Sequence, residues 1–137
     1  MDNYDKAEDF FHIMGKLNDL MDDYCNLRDL VDDMPNIHME DREDLRCIAC
    51  ELTGFSHFFS ACTDLLMLLF NMENEKDQFN VQSATHNQFQ RLRRNIDDLI
   101  NIADTWKMDN FRCQNFMRQM KKTFVEIKYT VDAIDFV

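Results

Sequence analysis

Residues 10–34 read FFHIMGKLNDLMDDYCNLRDLVDDM, with apolar side chains at Phe10, Ile13, Leu17, Leu20, Tyr24, Leu27, Val31 and Met34. The spacing alternates between three and four without a slip. That rhythm lines all eight residues along one stripe of an α-helix and leaves the charged residues on the other faces. Met34-Pro35 ends the helix, because proline lacks the amide donor and disfavours helical backbone at the residue before it. A short link, Asn36 to about Met39, follows.

The same rhythm returns three times downstream. Glu40, Asp41, Glu43 and Asp44 place carboxylates where a helix N-terminus has unpaired amides and the positive end of its dipole, so a second helix opens there. Its seam is Leu45, Ile48, Leu52, Phe55, Phe59, Cys62, Leu66 and Leu69, and it ends near Met72. Asn71–Asn80 (NMENEKDQFN) carries no period and many weak helix formers, and reads as a central loop. Ser83, or Thr85 with Gln88 as a capping-box partner, opens a third helix through Phe89, Leu92, Ile96, Leu99, Ala103 and Trp106. A fourth carries Cys113, Met117, Met120, Phe124, Ile127, Val131 and Ile134.

The heptad phase runs from Trp106 to Cys113 unbroken, so two readings stand at this junction. One is a break at Lys107–Asn110, where Asp109 and Asn110 are poor interior residues and good caps; the other is a single helix over 83–136. The break is preferred. It makes the chain an all-α, up-down-up-down four-helix bundle, and the alternative makes it three helices with one very long C-terminal member.

The chain has 137 residues and 16.5 kDa, enough for one helical domain, 1–137, around one core. Gly15 and Gly54 are its only glycines and stand alone, so the glycine-rich loops that bring backbone amides against phosphate are missing. Dinucleotide-binding and P-loop enzymes are thereby excluded. A net charge of −11 and a pI near 4.6 argue against direct nucleic-acid binding and against an anionic membrane. Leu52–Met72 is apolar but holds Asp64, which costs about 2.5–3.5 kcal/mol at the centre of a bilayer, and Ser56, Ser60 and Thr63 weaken the segment further, so no membrane span is expected. Five cysteines, an odd number, and an N-terminus with neither a basic nor an apolar leader segment point to reduced thiols and an intracellular protein, cytoplasmic or nuclear.

Catalytic and metal chemistry find little support. Cys47-x-x-Cys50 puts two thiols on one side of helix 2, but a tetrahedral zinc needs two more donors, and only His38 and Cys25 lie within reach in sequence. Incidental thiols are the expectation, with a metal- or redox-responsive bundle built on Cys47 and Cys50 as the rival. No cofactor is implied. The inward-facing Glu-x-x-His pairs of di-iron bundles are absent, since the nearest match, Asp9 with His12, falls off the core stripe. Of three serines, only Ser56 and Ser60 lie near a histidine, His57, and a non-enzymatic protein is expected.

Charge is unevenly shared. Residues 1–80 hold 19 acids and 6 bases, whereas residues 81–137 hold 7 acids and 9 bases. Asp19, Asp22, Asp23, Asp29, Asp32 and Asp33 crowd the solvated side of helix 1, and Arg93, Lys107, Lys121 and Lys128 occupy one edge of helices 3 and 4. These edges are expected to face the acidic hairpin and set helix pairing. A sharper alternative is an acidic nucleic-acid mimic, since carboxylates four apart on a helix lie about 6 Å from one another.

Helix 2 also has a second stripe: Cys47, Cys50, Gly54, Phe58, Ala61, Leu65 and Leu68, with an all-round apolar run at Leu65–Phe70. A helix apolar on two sides either sits deep between two neighbours or meets another molecule. The second option makes Gly54, Phe58, Ala61, Leu65 and Leu68 a partner-binding face. The expected function is protein–protein contact: self-association as a homodimer, or docking to and inhibiting another protein. Abundant Asp and Asn with scarce Ala, Gly and Pro suggest an AT-rich genome and hence a viral or phage inhibitor as the specific version.

Overall fold

The computed structural model describes residues 3–34, 39–71 and 75–134. Four helices account for nearly all of them: α1 (Asn3–Asp32), α2 (Met39–Asn71), α3 (Glu75–Thr105) and α4 (Phe111–Asp132). Consecutive helices pack on each other and α4 returns against α1, closing an up-down-up-down bundle with no strand among the described residues.

The heptad seams are the core. Phe10, Ile13, Leu17, Leu20, Tyr24, Leu27 and Val31 of α1 are buried, as are Leu45 through Leu66 of the α2 seam, Phe89 through Leu99 of α3 and every named seam residue of helix 4 through Ile134. Met34, Leu69, Ala103 and Trp106, at the seam ends, are half-buried. Aromatic rings knit the centre: Phe59 stacks on Phe10 at 5.6 Å and on Phe55 at 5.7 Å between centroids, and Phe124 meets the edge of Phe55 at 4.9 Å. Such pairs add to the area they bury because the positive ring edge meets the negative face.

The junction at Lys107–Asn110 is a break, and the 83–136 helix does not form. Asn110 is the N-cap of α4, its side chain accepting from the amides of Arg112 at 2.9 Å and Cys113 at 3.3 Å. Asp41, buried at the start of α2, accepts the amides of Asp109 (3.2 Å) and Asn110 (3.0 Å), so the α3–α4 link is fastened to the second helix. Met108 plugs the core from this link.

The central loop is much shorter than its composition suggests. Glu75–Asn80 is helical, and Ser83 and Thr85 lie inside α3 instead of opening it. Thr85 is buried and donates its hydroxyl to the Val81 carbonyl at 2.7 Å, a bond that satisfies a core threonine without ending the helix. Pro35–His38 and Met72–Asn74, which include the expected first link and the expected end of helix 2, lie outside the described residues.

Among the described residues, no base of the second hairpin forms an ion pair with an acid of the first. Arg93 pairs with Asp132 at 3.2 Å, Lys121 with Asp104 at 2.7 Å and Lys128 with Asp97 at 2.7 Å, all between α3 and α4. The two helices carry both signs on the edge they share, so neighbours in sequence satisfy one another first. Among the described residues, Lys16 with Glu126 is the ion pair that ties α1 to α4, and the bound Lys16 ammonium holds the Glu126 carboxyl below its ordinary range.

Candidate functional site: the outer face of α2

About a third of a turn round α2 from its buried seam, Cys47, Cys50, Gly54 and Ala61 are exposed, and Leu68 keeps 51% of its surface. Phe58 and Leu65 are half-buried, and the Arg91 guanidinium of α3 lies over the Phe58 ring at 5.5 Å from its centroid. The stripe is therefore divided. Phe58 packs against the core and carries the α3 arginine on its ring, Leu65 is half-buried, and the other five members form an open strip of small and apolar groups. The side chain of Phe70, at the end of the apolar run, lies outside the described residues.

Gly54 marks the middle of that strip. A helix-interior glycine costs roughly 1 kcal/mol relative to alanine. Here no positive φ requires it, and a Cβ built on it would meet nothing within 4 Å. Its own bundle makes no use of the missing side chain, which leaves a smooth patch where another backbone can approach closely.

The thiols divide in the same way. Burial pushes Cys62 up to about 12 and Cys113 up to about 11, whereas Cys25, Cys47 and Cys50 face solvent as free thiols. Among the described residues no group of three His, Cys, Asp or Glu side chains converges as a metal cluster would require, and His38 lies outside them. His57 is exposed, and among the described residues no hydrogen bond joins it to Ser56 or Ser60. Asp19, Asp22, Asp23, Asp29, Asp32 and Asp33 are all exposed along α1.

Apolar character alone does not decide the surroundings of α2. Within Met39–Leu69 an 18-residue stretch with a mean hydropathy of 1.3 is long and apolar enough to cross a membrane, and a third of that stretch is buried inside the bundle. Its seam is occupied by core packing.

A feature that sequence reasoning missed lies between α1 and α4. A cleft of about 600 Å³ opens there, with Leu27, Leu30 and Phe116 as its apolar lining and Arg112, Arg118 and Lys122 along its α4 wall. Each helix looks unremarkable when read singly; only their pairing brings these groups together. Compared with known proteins, the chain matches no family model, no curated protein and no solved structure, so its functional reading rests on its own residues.

Proposed function

We propose that this is a non-enzymatic intracellular protein that works through protein contacts, with the outer face of α2 as its docking surface. The observation that carries the reading is the exposure of Leu68 beside Ala61 and Gly54 on a helix whose core seam is already filled. Exposed apolar groups in a line, on a chain otherwise rich in surface carboxylates, are the composition of a contact face. Free thiols at Cys25, Cys47 and Cys50 suit a reducing compartment, where such groups persist. Self-association is the simplest use of the face, and blocking another protein is a use of the same chemistry.

A two-fold contact would bring each α2 against its copy, so one substitution acts twice. Leu68→Glu places two like charges in a desolvated contact while leaving Phe59, Cys62 and Leu66 in the core unaltered. Sedimentation velocity of wild type, Leu68→Glu and Ala61→Glu, with circular dichroism as the folding control, reads the result. Association in the wild type that both variants clearly weaken supports the face. Association as tight in both folded variants as in the wild type refutes it as the site of self-contact.

A further inference from the structure

The cleft between α1 and α4 is bipolar, and that polarity identifies what fits it. On the α4 wall, Arg112, Arg118 and Lys122 are exposed, and among the described residues none of the three forms an ion pair. Arg118 reaches only the neutral Asn115 amide oxygen, at 2.6 Å. Lys121 and Lys128, on the opposite edge of the same helix, are both taken up by aspartates of α3. Three cations gathered on one groove with no ion pair among the described residues stand out in a chain of net charge −11.

The facing wall belongs to α1 and carries Asp23. A smaller cleft continues the groove past Lys122 and adds Asp19 on the same wall, ending at the Lys16–Glu126 pair. Asp19 and Asp23 are exposed, and neither is ion-paired to the cations across from it. The groove thus has an acidic side, a basic side and Leu30, 44% exposed, at one end.

We infer that this groove is a second contact surface, separate from the outer face of α2, and that its occupant is the same groove of another copy of this chain. A lone acidic helix laid in it would gain from Arg118 and Lys122 and be repelled by Asp19 and Asp23, and a basic helix would meet the reverse. A copy turned about a two-fold axis running along the groove satisfies both sides. That rotation lays the copy's α1 over α4 and the copy's α4 over α1, each residue keeping its level along the bundle. The copy's Asp19 and Asp23 then come over the stretch of α4 that holds Lys122, and the two Leu30 side chains close the apolar end.

The face is two helices wide, about 20 Å, and runs from Arg112 to Glu126, about 21 Å at 1.5 Å per residue. That is roughly 400 Å² per copy, half the roughly 800 Å² of a standard stable interface, so the contact belongs with weak, reversible associations. Charge complementarity in such contacts fixes which faces meet more than how tightly they hold.

The test uses a background in which α2 cannot contribute: Leu68→Glu, or Ala61→Glu if the first does not fold. In that background one chain carries Arg118→Glu with Lys122→Glu, and a second carries Asp19→Lys with Asp23→Lys. Sedimentation at concentrations up to roughly 500 μM, in the range where contacts this small are populated, reads each chain alone and the two mixed in equal amounts. The parent chain is expected to dimerise reversibly, each charge-reversed chain to associate about tenfold more weakly or worse, and the mixture to regain the parent's dimer, because each acidic wall then faces a basic one. A parent that stays monomeric overturns the inference. So does a charge-reversed chain that dimerises as the parent does, or a mixture that fails to recover association while both chains keep the parent's helical signal. None of these outcomes bears on the outer face of α2, which the background has already silenced.

Discussion

Asp41 is the only carboxylate buried among the described residues, 2% exposed, and it holds the α3–α4 link against α2 by accepting the Asp109 amide on both oxygens at 3.2 Å and the Asn110 amide at 3.0 Å. Replacing it with alanine removes every one of these acceptors. A buried donor left without a partner costs about 1–3 kcal/mol. Asn110 bears the larger share, since it is half-buried and caps α4, while the exposed Asp109 can turn its amide to water. Loss of a carboxylate from the first turn of α2 costs about 0.3–1 kcal/mol more. Against this stands relief of Asp44, whose carboxyl is raised by desolvation first and then by Asp41, Glu40 and Glu43. The balance is about 2–3 kcal/mol for Asp41→Ala, a fall in Tm of about 10 °C for a chain of this size. Asp41→Asn keeps one acceptor oxygen and should lose about 1 kcal/mol. Urea unfolding followed by circular dichroism measures both. A loss under about 0.5 kcal/mol for alanine would show that the link holds itself through the Asn110 cap and does not depend on its tie to α2.

Phe59→Ala should cost about 3–5 kcal/mol by leaving a cavity between Phe10 and Phe55, checked by the same unfolding curves. Cys25, Cys47 and Cys50 should react promptly with a thiol reagent near neutral pH while Cys62 and Cys113 react only on unfolding, so mass spectrometry should find three labels on the native chain. Because the folded chain keeps the Cys62 and Cys113 thiols neutral up to about 12 and about 11, whereas the unfolded chain ionises them near 9.0, their contribution is intact below about pH 9 and is lost as pH rises above it. The fall in Tm between about pH 8 and about pH 10.5 should accordingly be smaller in Cys62→Val than in the wild type.

The bundle was legible wherever an apolar residue recurs every three or four positions, because that period is both the condition for helix and the condition for burial. Phe10 through Val31 and Cys113 through Ile134 needed nothing else. The start of α3 failed the same test for a physical reason. Phe79 is 70% exposed, and the first buried position among the described side chains of α3 is Thr85, a residue whose hydroxyl looks like a cap until a carbonyl four residues back takes it. Phe116 was missed because it sits beside the seam, yet it is buried in the core with its ring 5.8 Å from that of Tyr24 on α1. The ion pairs were missed because opposite charge can be counted along a chain while the choice among partners depends on which edges the helices share.

The two candidate surfaces differ in how far sequence could reach them. The α2 strip is local: seven positions on one helix declare an apolar face, and the structure adds that Phe58 is partly spent on the core and on α3 while Gly54, Ala61 and Leu68 are exposed. The α1–α4 groove is relational, since Asp23 and Lys122 lie almost a hundred positions apart and acquire joint meaning only when α4 closes against α1. Asp41 links the fold to the proposed groove contact. By fixing the Asp109–Asn110 link to α2 it sets where α4 begins, and the start of α4 is where Arg112 enters the groove. A change at Asp41 that leaves the helices intact but loosens this link should therefore weaken association through the groove and spare the outer face of α2, a pattern that a general loss of stability would not produce.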